Sequence, residues 1–336
     1  MKVVLDRFSG IQPKLAPSLL EGHMAQTAQN VRLHSKKLKS WYNKLQDSAL
    51  ENTGTIRTVY LYDDQYWLEW EADVDVVLGP VANDTAGKFY YTGHGIPKKS
   101  NKTEATTGAG AMPLNFFPMG MPVPHAALSA ALGSGGSGDP RDIQYVWTIV
   151  SSWGEESAPS PAMASPIAAK NGQTVNLSDI TMQWQASTVY TTDDWVFAVS
   201  DEGGTYLYKC VVGGTSGASE PTWNQTVDGD TTDNTVTWRC YNSHLLYKYI
   251  YRYNTGNEVG SYQFVDSIAI SATTYSDSKT DTQLGETLAD VTYNPPPDNL
   301  TGLVSMGNGI LAGFAGKDFY VSVAYKPWAW PVAYRH

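Results

Sequence analysis

Apolar and polar positions alternate with a period of two along most of this chain, the spacing that turns one face of a β-strand toward a core. Ile143-Gln-Tyr-Val-Trp-Thr-Ile-Val-Ser151 and Gln173-Thr-Val-Asn-Leu-Ser178 are predicted strands, separated by the turn Gly154-Glu-Glu-Ser-Ala-Pro-Ser-Pro161. The pattern resumes after His244 in Tyr247–Tyr253, Ser261–Asp266 and Thr273–Asp277, with Asn254-Thr-Gly256 as a turn. Strand signals in an antiparallel sandwich recur about every eight to twelve residues. That spacing is met only when residues 182–243 are cut out. The pattern therefore predicts one sandwich, split between 141–181 and 244–281, with a small aromatic β-module inserted into it.

The N-terminal part, residues 1–102, reads as a helix followed by a β-meander. Leu19, Leu20, Met24 and Thr27 share one side of a predicted helix from Pro17 to about Val31. Strands are predicted at Asn30–Leu33, Thr55–Tyr62, Tyr66–Trp70, Val74–Leu78 and Lys88–Tyr91, a meander that suits a propeller blade or an open sheet. Residues 103–140 shift to Gly, Ala, Pro and Met and end in Gly133-Ser-Gly-Gly-Ser-Gly138, so a linker or loosely packed arm is expected. Within it, the prolines of Met119-Gly-Met-Pro-Val-Pro124 demand extended backbone. Residues 282–336 begin a further sheet, a propeller part, with Asn308-Gly309 as a type I′ hairpin turn. The fold class is all-β and multidomain.

Length and charge narrow the function. At 336 residues the chain is long enough for several small domains. A formal charge of −10 without long runs argues against a phosphate-binding surface. The basic clusters His34-Ser-Lys-Lys-Leu-Lys39 and Lys98-Lys-Ser-Asn-Lys102 are read as solvated turns or strand ends. Charge interrupts the apolar run of Met1–Arg7, and no run reaches the roughly 18 apolar residues of a membrane span. A soluble chain made in a cytoplasm is expected. In that setting Cys210 and Cys240 are expected as free, buried thiols, with a disulfide across the sheet as the alternative.

No catalytic constellation stands out, and the six His fall in no metal or triad spacing. Asp73/Asp75, Glu155-Glu156, Asp193-Asp194 and Asp228-Gly-Asp230 are acidic pairs better suited to turns and solvation than to a glycosidase. The Asp228–Asp233 loop lacks the closing Glu and following helix of an EF-hand. No metal, cofactor or enzymatic activity is expected. Eleven Trp and 21 Tyr remain as candidate chemistry, since an exposed indole stacks on a sugar face at little entropic cost. Trp184 and Trp238, at the ends of the module, are read as structural. Trp223, Trp195 and Tyr190 are the candidate carbohydrate-binding residues, with Trp223 on its Glu220-Pro-Thr-Trp223 loop the most exposed.

The opening Trp184-Gln-Ala-Ser-Thr-Val-Tyr190, the centre Gly214-Thr-Ser-Gly-Ala-Ser-Glu-Pro-Thr-Trp223 and the ending Thr235-Val-Thr-Trp238 resemble small modules related to chitin- and cellulose-binding domains, which recur in phage structural proteins. The surrounding Tyr145–Pro161 and Tyr251–Gly256 resemble a fibronectin type III domain. The order of Phe8-Ser-Gly-Ile-Gln-Pro13, Asp73–Pro80, Tyr90–Pro97, the Gly-Glu-Glu-Ser-Ala-Pro segment and Gly302–Phe314 is similar to the nozzle or tail tubular proteins of short-tailed bacteriophages. That resemblance implies a propeller-bearing virion subunit, assembled in the host cytoplasm as a homo-oligomeric ring, a hexamer. Its expected partners are the portal-adaptor, other tail proteins and tail fibres, with DNA passing through without specific binding. The alternative it leaves open is a host-attachment protein whose module binds a surface polysaccharide.

Overall fold

The structure, a computed structural model, describes residues 8–27, 31–32, 39–40, 49–255 and 260–336. Met1–Arg7, Asn30, Leu33, the basic run at 34–38 and Gly256 of the expected turn lie outside the described residues. The chain divides into two compact units, residues 1–49 and 50–336.

In the first unit, Gly10–Ile11 pairs in parallel with Met24–Ala25, and Val31–Arg32 pairs antiparallel with Lys39–Ser40. The helix expected from Pro17 is replaced by one 3-10 turn, Pro17–Leu19, and then by the strand at Met24. Leu19 is 67% exposed while Leu20 and Met24 are half-buried, so the residues of the predicted stripe do not share one covered face. A helix with Gly22 at its centre loses about 1 kcal/mol there and needs tertiary burial to form.

The second unit is built from several antiparallel sheets. Strands β1 (Thr58–Tyr62) and β2 (Tyr66–Trp70) form a hairpin whose turn residues Asp63 and Asp64 both have positive φ. β3 (Asp75–Leu78), β4 (Phe89–Thr92), β5 (Lys98–Ser100) and β6 (Phe117–Pro118) form a four-stranded sheet in the order β6-β5-β4-β3. No propeller is formed among the described residues. The hairpin and the four-stranded sheet share no ladder but pack on one core, Tyr62, Leu68 and Trp70 against Phe89 and Tyr91. The C-terminal strand that runs along β3 is tied to it by a side chain, the Gly302 N–H donating to Asp75 Oδ2 at 2.8 Å, rather than by a shared ladder.

The region expected to be a loose linker is ordered. Asn101 caps α1 (Lys102–Thr106) by accepting from the Glu104 N–H, Met119 and Met121 are buried, and Ser129 begins the longest strand of the chain. That strand, β7 (Ser129–Ser151), pairs antiparallel with β8 (Ile167–Ser178). Two register shifts interrupt the pairing, and Gly135, Gly136 and Gly138 sit in or beside them at positive φ. The glycines supply the backbone of bulges in a paired strand instead of slack.

β7 changes partner along its length. Ile143 faces Ile167 of β8 on one side and Asn254 of β13 (Leu245–Asn254) on the other, and from there to Ser151 the strand pairs with β13. With β14 (Gln263–Ala269) and β15 (Tyr275–Asp277) the order is β14-β13-β7-β8-β15, one continuous sheet curled into a half-barrel. Tyr145, Trp147 and Ile149 are completely buried at its centre.

Between β8 and β13 lies the inserted module. β9 (Trp195–Val196), β10 (Tyr206–Val212), β11 (Asp230–Asp233) and β12 (Val236–Asn242) are ordered β9-β10-β12-β11. Period-two alternation divides its side chains between two cores. Trp195, Phe197, Leu207 and Tyr241 join the core of the half-barrel, while Trp184, Tyr190, Val196, Tyr208, Cys210, Trp238 and Cys240 form the module's own.

Lys98 and Lys99, expected in solvent, have no exposed surface. Lys98 Nζ pairs with Asp228 Oδ2 of the module at 2.7 Å, and Lys99 Nζ pairs with Glu155 of the turn after β7. Carboxylates brought from distant segments compensate the ammonium groups, which no local reading of a Lys-Lys pair reveals.

Candidate ligand-binding cleft

The module's surface carries an aromatic cleft, lined by Ser200, Asp201, Tyr208, Glu220, Trp223 and Gln225 among others, with a volume of about 680 Å³. Two loops shape it. Glu220 Oε1 accepts the Val199 N–H at 2.7 Å and the Trp223 indole N–H at 2.7 Å, so one carboxylate oxygen ties the 198–201 loop to the 220–225 loop. The Asn224 N–H donates to Thr231 Oγ1 at 2.9 Å and anchors the second loop on β11.

Trp223 is half-buried. Its ring stacks on Tyr208, centroids 4.1 Å apart at 28°, and its edge meets Trp238 at 6.0 Å. Such a stack holds the indole in one orientation, which lowers the entropy lost when a flat ligand docks on it. Burial raises the Tyr208 hydroxyl pKa well above its ordinary value, so it stays protonated.

The foundation is a buried carboxylate. Asp233 Oδ2 accepts the indole N–H groups of Trp184 at 2.7 Å and Trp238 at 3.0 Å, and Oδ1 accepts the Gly217 N–H at 2.7 Å. This places Trp184 and Trp238 in the structural role expected for them. The Asp228–Asp233 segment, read as a turn, also supplies Asp230, which holds Arg239 through two hydrogen bonds of 2.7 and 3.0 Å.

Of the three sequence candidates, only Trp223 lines the cleft. Trp195 is 4% exposed and Tyr190 is 1% exposed. The Trp195 ring faces the half-barrel core, and the Tyr190 hydroxyl accepts the Gln185 N–H at 2.8 Å while burial pushes its pKa up to about 12. Neither offers a ring face to solvent, because strand alternation turns each into a core. Sequence reasoning missed Tyr208, Asp201 and Glu220. Glu220 had a signal, its position three residues before Trp223 in a Pro-containing turn.

The remaining acidic pairs have structural partners. Asp193 Oδ1 meets Lys209 Nζ at 2.7 Å, and Asp194 accepts from the Thr191 N–H and Oγ1. Glu156 accepts from Thr148 Oγ1 and the Tyr251 hydroxyl, both at 2.7 Å. Among the described residues, no group of three or more His, Cys, Asp or Glu is arranged to hold a metal ion. The cleft combines an aromatic platform with carboxylate acceptors, a chemistry of binding hydroxylated rings. No protein-family model matches the chain, and no curated protein matches it.

Proposed function

We propose that this chain is a structural subunit of a bacteriophage tail. In this reading it assembles with its own copies as the nozzle or tail-tube ring below the portal-adaptor, with tail fibres and other tail proteins as neighbours. DNA crosses its lumen without specific binding, which a chain of net charge −10 favours by repulsion. The order of motifs along the chain supports the reading.

One structural observation carries it further, the rigid seating of the module. Here Trp195, Phe197, Leu207 and Tyr241 share the half-barrel core, Lys98–Asp228 ties the module to β5, and Lys209–Asp298 ties it to the turn before Leu300. A part fixed in this way suits a wall of an assembly. Electron microscopy of the purified chain, with symmetry left free, tests the reading. A closed ring with a pore wide enough for duplex DNA is expected, and a uniformly monomeric particle overturns it.

The Trp223–Tyr208–Glu220 cleft favours a second reading, host attachment through a surface polysaccharide. The chain is then retained on an immobilised host polysaccharide, and Trp223→Ala abolishes retention with the fold intact. A parent chain that passes through every such column unretarded sinks this reading.

A further inference from the structure

The cleft on the inserted module is rich in acceptors and short of cations. Asp201 and Glu220 stand exposed on its two loops. Glu220 uses Oε1 to hold the Val199 and Trp223 N–H groups, and the bond to Val199 draws the Asp201 loop alongside it. Its Oε2 and the Asp201 carboxylate have no partner among the described residues, and no Lys, Arg or His among them lines the cleft. Elsewhere the chain covers its indoles with its own ammonium groups, Lys248 over Trp147 at 5.5 Å, Lys209 over Trp195 at 5.6 Å and Lys326 over Trp328 at 5.4 Å. Among the described residues, no ammonium group stands over Trp223 in this way.

We infer that this cleft binds a hexose ring bearing a protonated amine, the free amino sugar of a surface polysaccharide. The inference rests on the reading of the module as a polysaccharide-binding part and names the sugar it selects. Tyr208 covers one face of the Trp223 ring and Trp238 meets its edge, so the half-buried indole offers its other face to a ligand. A pyranose lays its C–H groups flat on such a face and carries its polar substituents around its rim. Glu220 lies at the edge of this platform, since it accepts the indole N–H at 2.7 Å. An ammonium group on the rim of the stacked sugar meets a carboxylate there, in a charge-assisted hydrogen bond.

Charge and shape sort the competing ligands. A uronic acid brings a carboxylate to two others and is repelled. A neutral N-acetylated ring keeps the stacking but offers an uncharged N–H in place of the ammonium group, a weaker donor to a carboxylate. A lysine or arginine side chain brings the charge, yet it gives up the rotational freedom of a long stem that a rigid ring never had. Both carboxylates are exposed, so solvent moderates their pull. The selection of amine over acetamide is therefore about tenfold in affinity at low ionic strength, and it shrinks as salt is added.

Titration calorimetry of the full chain at about pH 6, where both carboxylates are ionised, tests the inference. The probes are a glucosamine hexasaccharide, its fully N-acetylated form and an oligogalacturonate of the same length. The glucosamine oligomer is expected to bind about tenfold more tightly than the N-acetylated one, and the oligogalacturonate not to bind. In the double variant Asp201→Asn with Glu220→Gln the tenfold ratio is expected to fall toward one. The new Gln keeps an Oε1 acceptor for both N–H groups, and near-ultraviolet circular dichroism checks that the fold is kept. An N-acetylated oligomer bound as tightly as the glucosamine one overturns the amine selection and leaves polysaccharide binding standing. A preference that survives the double variant overturns the assignment to these carboxylates. Hexalysine bound as tightly as the glucosamine oligomer, and indifferent to Trp223→Ala, overturns the sugar as the ligand. Failure of all three oligomers to bind overturns the inference, and the attachment reading falls with it only if host polysaccharide columns also fail to retain the chain.

Discussion

Lys99 and Glu155 form an ion pair in which neither side chain has more than 1% of its surface exposed. Ser151 Oγ adds a hydrogen bond to the same carboxylate oxygen at 3.2 Å. The pair joins the four-stranded sheet to the turn leaving β7, and burial pulls the Lys99 pKa down against the opposing pull of Glu155. Breaking a buried pair from one side strands a charge and costs about 3–5 kcal/mol. Lys99→Met is expected to lose that much stability in urea unfolding, and the double change Lys99→Met with Glu155→Leu to recover most of it. A single variant within about 1 kcal/mol of the parent would falsify the view that this pair is a principal tie.

His244 stacks on Phe117, centroids 4.2 Å apart, beside that pair. Burial first, then the charges of Lys99 and Lys88, hold its pKa well below the usual value for histidine. The folded chain thus keeps His244 neutral while the unfolded chain takes up a proton near pH 6.5, so stability falls as pH drops below about 6.5. Each such group contributes a slope of up to about 1.4 kcal/mol per pH unit. His94 and His125, also held low by burial, act with the same sign. Unfolding free energies at pH 7.5 and 5.5 are expected to differ less in His244→Phe than in the parent; equal differences would remove His244 from the account.

Trp195 and Trp223 separate structure from binding. Trp195→Ala opens the half-barrel core and is expected to lose about 3–5 kcal/mol. Trp223→Ala removes a half-buried ring from the surface of the module and is expected to lose distinctly less. Denaturant titration of the two variants ranks them, and the reverse order would place Trp223 in the core.

Asp233→Asn replaces an acceptor of three N–H groups with an amide that turns its own donor toward at least one of them. A loss of about 1–3 kcal/mol follows from the unsatisfied buried group. A changed near-ultraviolet tryptophan signal is expected with it, since Trp184 and Trp238 lose their common anchor. An unaltered spectrum and stability would show that the carboxylate is dispensable.

Cys210 and Cys240 occupy neighbouring strands, but the register sets Tyr208 opposite Cys240 and Trp238 opposite Cys210. Both are free, and burial pushes each thiol up to about 11. Neither is expected to react with a thiol reagent at pH 8 in the folded chain, and both should react in denaturant. Rapid labelling of the native protein would contradict their burial.

Local pattern was enough for the strands themselves. The alternation from Ile143 to Ser151 and from Tyr247 to Tyr253 lies within β7 and β13, and Asn308 and Gly309 both have the positive φ of a type I′ turn. These depend on neighbouring residues and on backbone preferences that each residue carries with it. The tertiary structure decided what each face meets. It turned Trp195 inward and left Trp223 at the surface, buried Lys98 and Lys99 against carboxylates from Asp228 and Glu155, and fixed the Gly133–Gly138 stretch by pairing it with β8. It also left the Pro17 segment without a helix, since no apolar surface came to cover Leu19. Pairing in a β-protein joins residues far apart in sequence, so alternation defines two faces for every strand while only the assembled sheets settle which one is covered.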